Sequence, residues 1–236
     1  MEINNTLDFE KIEKTIERLA IRILERFPQS SLGNTCKDFH RFTLASQKNI
    51  VWIEKPIFWI RFLTGTAILI SLISIIYSIS IIDFSVKKTL AEYATVAEAS
   101  INNVVLLGAA FFFLFTLENR FKRIKAIKLL NEIRGFAHVV DMHQLTKDPH
   151  SIAEYIFTEH SPPRDLSDFE LQRYLDYSSE FLSLVGKVAA VYSQRLPDEI
   201  VVQSASEIEN LCANINNKIW QKLMILSIEN ANQPTT

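Results

Sequence analysis

Two uncharged apolar runs dominate the pattern of the chain. Phe62 to Ile82 reads FLTGTAILISLISIIYSISII, and at about 1.5 Å per helical residue it spans the thickness of a hydrocarbon core. Ala99 to Leu117 reads ASINNVVLLGAAFFFLFTL. One such run can be the buried helix of a water-soluble core, but a chain of 236 residues has little room to hide two. The first run follows a long charged segment and is too long for the apolar region of a signal peptide. The pattern therefore predicts two transmembrane helices, over about 62–82 and 99–117.

The flanks set an orientation. Arg41, Lys48, Lys55 and Arg61 precede the first run, and Arg120, Lys122, Arg123, Lys125, Lys128 and Arg134 follow the second. The connection between the runs has only Lys87 and Lys88, set against Asp83, Glu92 and Glu98. Basic residues concentrate on the cytosolic side of membrane proteins, so a hairpin with both termini in the cytosol is expected. Trp52, Phe58 and Trp59 stand where an interfacial aromatic belt belongs.

The remaining pattern is helical. Phe9, Ile12, Ile16, Leu19, Ile23 and Phe27 recur at three- and four-residue steps and stop at Pro28. The stretch 28–35, PQSSLGNT, reads as a linker, and a second helix is expected from about Lys37 to Glu54. No proline occurs from 57 to 148, so the second span is expected to continue as one long helix to about Leu145, with a possible bend at Gly135. Asp148-Pro149 has the form of a helix start leading through Ile156. Ser167-Asp168-Phe169-Glu170 is a capping box. Two apolar stripes follow it, from Leu171 to Tyr192 and from Val201 to Leu226, and predict an antiparallel helical hairpin. The expected fold is all-α: N-terminal cytosolic helices over 1–56, a transmembrane hairpin over 57–118, and a cytosolic helical domain over 119–236.

Composition removes several function classes. Five glycines leave little material for phosphate-cradling loops, and no nucleotide-binding or nucleophile-elbow motif is present. The formal charge of -2 gives no whole-chain attraction to nucleic acid. Two cysteines, Cys36 and Cys212, make no disulfide framework. No enzymatic activity and no cofactor are expected.

Three groups of residues are candidates for function. Glu98 and Asn102 share a helix face, with Asn103 beside them, at the outer end of the second span. In a symmetric oligomer they would form polar rings at a channel mouth; alternatively Glu98 is interfacial and the asparagines bond a neighbouring helix. The second group is HVVDMHQLTKD, with His138, Asp141, His143, Lys147 and Asp148. It is open to a metal, a small ligand, a partner contact, or a role as a capped helix end, although its spacing matches no metal motif. The third is a basic collar of Arg120, Lys122, Arg123 and Lys125, suited to lipid headgroups or a phosphate-bearing ligand as well as to topology control. Residues 135–236 hold 7 basic and 14 acidic residues, so a basic ring adjoins an acidic domain.

The segments LNEIRGFAHVVDMHQLTKDP, LQRYLDYSSEFLSLVGKVAAVYSQ and EIENLCANINNKIWQKL are similar to those of an uncharacterised group of bacterial two-span helical membrane proteins. That resemblance implies a place in the inner membrane and carries no catalytic residue. The layout also resembles membrane effectors of bacterial phage defence, in which a cytosolic domain controls a small pore. The leading expectation is an oligomeric pore or channel gated by its helical domain, with the bilayer, further copies of the chain, and a phosphate-bearing ligand or cytosolic protein as partners. A non-conducting scaffold is the alternative, and a membrane-bound metallohydrolase is the third reading.

Overall fold

A computed structural model describes residues 6–81, 89–147, 149, 160 and 166–232. Every element is a helix: α1 (Phe9–Arg26), α2 (Ser31–Glu54), α3 (Phe58–Ile81), α4 (Leu90–Leu145), α5 (Asp168–Arg195) and α6 (Glu199–Asn232). There is no strand among the described residues. The helix expected after Asp148 and the residues 82–88 lie outside the described residues. The chain forms two compact units, one of residues 1–54 with 125–236 and the other of residues 55–124.

The first unit buries the stripes read from the sequence. Asp8 caps α1 by accepting from the amides of Glu10 and Lys11 at 3.1 and 3.3 Å, and Phe9, Ile12, Ile16, Leu19 and Ile23 are buried. They pack against α2 and α5. The apolar face of α1 is thus covered within the chain and supplies no reason for self-association. Helix α2 begins at Ser31 rather than near Lys37, because Ser30 accepts the Gly33 amide at 3.1 Å and Leu32 and Cys36 enter the core. The capping box of α5 is present in both directions, Ser167 accepting from the Glu170 amide and Glu170 from the Ser167 amide. Three residues separate α5 from α6, which pack as a hairpin.

Phe39 of α2 marks the centre of this core. Its ring lies 4.9 Å from Phe136 of α4 and 5.4 Å from Phe181 of α5, so three helices meet on one side chain. Cys36 and Cys212 are free and buried, and burial pushes their thiols up to about 12 and about 11. Both are protonated and unreactive at neutral pH.

The second unit reverses the pattern. On α3, Phe62 is 74% exposed and Ile70 67%; on α4, Val104 is 67% exposed and Phe112 73%. Leu69, Leu72, Ile73, Ile101 and Val105 are exposed as well. Among the described residues one helical segment, within Ser31–Ile73, is long and apolar enough to cross a membrane, and only 11% of its apolar window is buried. The core helix of a water-soluble domain has most of that surface covered.

Candidate functional site

Glu98 and Asn102 lie one turn apart on α4, both exposed. Asn103 belongs to the same helix, and its side chain lies outside the described residues. The helix reaches back to Leu90, so these residues sit inside a regular helix rather than at its end.

The collar residues take different roles. Lys122 turns inward: it is 7% exposed and its Nζ lies 2.9 Å from Glu118 Oε1. Glu118 also accepts from Arg61 Nε at 3.0 Å and from the Ile57 amide at 3.3 Å. Burial by itself would raise the Glu118 carboxyl; the bonds from Arg61, Lys122 and Ile57 outweigh it and hold the group below the usual carboxylate range. This anionic centre joins the first turn of α3 to α4, beside a 6.3 Å contact between the Trp59 and Phe121 rings. Proline at 56 removes one amide donor from this turn, and the carboxylate takes up the next one. Arg120 is exposed, Arg123 is partly buried, and Lys125 Nζ sits 4.2 Å over the Trp52 ring. Lys122 and Lys125 therefore each have an intramolecular partner.

The His138–Asp148 group is the end of α4, tied down from two sides. His143 Nδ1 lies 3.2 Å from Ser31 Oγ and its Nε2 3.3 Å from Thr35 Oγ1. Lys222 of α6 donates to the carbonyl oxygens of Gln144 and Lys147 at 2.7 and 2.9 Å. A helix leaves its last carbonyls without partners from its own ladder, and a lysine at the negative end of the dipole meets that need. Burial lowers the His143 imidazole below its ordinary value, so it is neutral at pH 7. Asp141 accepts from Gln144 Nε2 at 2.7 Å. His138 is exposed, Lys147 lies 5.7 Å over the Tyr174 ring, and Asp148 is outside the described residues. The described members of the group do not converge on one point.

A convergence of possible metal ligands lies elsewhere. Glu13 and Glu17 of α1 and His40 of α2 bring their ligand atoms within 4.8 Å of one another. His40 Nε2 already bonds Glu13 Oε1, so two of the three groups are joined by a hydrogen bond across the α1–α2 interface. The i, i+4 spacing of the two glutamates was legible in the sequence, whereas their meeting with His40 depends on the α1–α2 packing.

A further feature arises between α1 and α5. Arg22, Glu25, Arg26 and Tyr177 line an open cavity of about 360 Å³. The guanidinium carbons of Arg22 and Arg173 each lie 5.2 Å over the Tyr177 ring, and that of Arg26 lies 5.6 Å over Phe169. Burial would raise the Tyr177 phenol, but Arg173, Arg26 and Arg22 reverse the effect and leave it below the ordinary tyrosine value. In the sequence the traces of this group are the four-residue repeat of Arg18, Arg22 and Arg26 on α1 and the four-residue step from Arg173 to Tyr177 on α5, which read equally as solvated faces. Compared with protein-family models, with curated proteins and with solved structures, the chain matches none.

Proposed function

We propose that this chain is an oligomeric membrane protein in which 62–82 and 99–117 cross the bilayer as a hairpin, both termini are cytosolic, and the helical unit gates or assembles a pore. The observation that carries this reading is the reversed surface of the 55–124 unit. In water, exposed Phe62, Ile70, Val104 and Phe112 would form an apolar surface far beyond what a monomeric soluble protein carries. Lipid removes that cost. Exposed Glu98 and Asn102 on the same α4 then need water or another copy of the chain beside them, and a pore between protomers supplies both. Helix α4 contributes to both units and gives the helical unit a covalent route to these residues.

The test is ion flux through liposomes holding the full chain, with cell lysate supplied on the cytosolic side. Wild type is expected to conduct, Glu98→Gln to alter selectivity with assembly intact, and Glu98→Lys to suppress cation flux by reversing the ring's sign. Silence of the wild type under lysate, or conduction indifferent to both changes, overturns the pore at this position. Labelling of a cysteine placed between 83 and 98 from the outside checks the topology. Protection from an external reagent that does not cross the membrane defeats it.

A further inference from the structure

We propose that the α1–α5 cavity is a binding site for a phosphate-bearing small molecule, held by Arg26 and Arg22 beside Tyr177, with Arg173 stacked on the same ring. The cavity, about 360 Å³, falls within the size range of small-ligand sites. Its basic groups are arranged before any ligand arrives. Arg22 is fixed by a two-pronged bond to Glu180 at 2.8 and 3.4 Å, and Arg173 by Asp176 at 3.1 Å. Both guanidinium groups are also stacked on Tyr177, which is itself 4% exposed. A guanidinium has five N–H donors in a fixed fork, so Arg22 keeps donors beyond the two that Glu180 takes. Arg26 rests on the exposed Phe169 ring and faces the cavity with no carboxylate in ion-pair contact among the described residues.

This is chemistry that phosphate selects: planar donors at fixed angles, with Arg26 supplying the charge that Glu180 and Asp176 do not neutralise. Glu25 in the lining repels an anion, so the ligand seats on the Arg26 side. Phe169 carries the Arg26 guanidinium on its ring, so a flat heterocycle attached to the phosphate would stack on the Arg26–Phe169 pair. The inference does not rest on conduction, since it concerns residues of the helical unit alone.

The experiment is calorimetric titration of the full chain in detergent with inorganic phosphate, glycerol phosphate and adenosine monophosphate. Saturable binding is expected, weakened about tenfold or more by Arg26→Gln through loss of a charge-assisted bond. Tyr177→Phe should weaken it with the ring stacking retained, and Glu25→Gln should tighten it. Lys14→Gln, on the same helix but paired with Glu10, should leave it unchanged. Preference for adenosine monophosphate identifies stacking on the Arg26–Phe169 pair and a nucleotide ligand; equal binding of glycerol phosphate identifies a headgroup-like ligand at the same site. Absence of saturable binding by all three probes overturns the proposal. So does binding that Arg26→Gln and Glu25→Gln leave untouched, with the helical content of both variants intact.

Discussion

Glu118 and Lys122, one turn apart on α4, form a 2.9 Å ion pair in which both side chains are nearly covered, 12% and 9% exposed. The pair is a fixture rather than a surface contact, because the same carboxylate receives Arg61 and the Ile57 amide. Replacing Glu118 by Ala would leave the Lys122 ammonium buried without its counter-charge. Removing one partner of a buried pair costs about 3–5 kcal/mol. The expected outcome is a large fall in melting temperature in detergent and new protease cleavage between Glu54 and Phe58. Lys128→Gln, at an exposed position on α4, is the comparison and should shift neither. Equal behaviour of the two variants would show that the pair does not fasten the first turn of α3.

The end of α4 gives a pH prediction. Burial depresses the His143 pKa, so the folded state favours the neutral ring more than the unfolded state does. Its contribution is present above the unfolded pKa and is lost as pH falls through the lower folded value. The wild-type melting temperature should therefore decline on acidification from about pH 7.5 to 5, and His143→Gln should decline less. Gln keeps a donor and an acceptor near Ser31 and Thr35 without the titrating ring. Parallel curves for the two proteins would falsify the assignment.

Lys222 meets the same helix end from the opposite side. Its two bonds to the Gln144 and Lys147 carbonyls are between a charged donor and acceptors at the negative pole of α4. Lys222→Met retains the aliphatic stem and removes the donors. A cost of about 2 kcal/mol is expected from bonds of this kind, read as a lower denaturation midpoint, with faster amide exchange in the last turn of α4. Unchanged exchange there would mean that the lysine is not the cap.

These examples separate what sequence patterning carries from what it does not. The period of Phe9, Ile12, Ile16, Leu19 and Ile23 is a local property of one helix, and each of these residues is buried. The Ser167–Glu170 capping box is local too, and it forms. The start of α2 was misread because Pro28, Ser30, Ser31, Gly33 and Asn34 have turn propensity, whereas packing of Leu32 and Cys36 decides the backbone. The histidine cluster resolves into a helix end only through Ser31, Thr35 and Lys222, which are remote in sequence. The Arg22–Tyr177 cavity needs α1 against α5, a contact that no single-helix period encodes.

Two glycines put the packing of the helical unit to a quantitative test. A Cβ on Gly33 would lie 2.7 Å from Leu24 Cδ2 and 3.2 Å from Ile23 Cγ2, because α2 approaches α1 closely at its first turn. Leu24 Cδ2 is the end of a flexible side chain and can move, but Ile23 is fully buried and has little room to follow. Gly33→Ala should therefore cost about 1–3 kcal/mol, the range for added volume in a filled interior. At Gly135 the same atom would meet nothing within 4 Å. That residue lies inside α4, where alanine is favoured over glycine by about 1 kcal/mol. Gly135→Ala should accordingly stabilise. One measurement, urea denaturation of the two variants beside wild type, reads both signs. If Gly33→Ala also stabilises, helix propensity outweighs packing at the α1–α2 contact, and Leu24 and Ile23 yield to the added methyl.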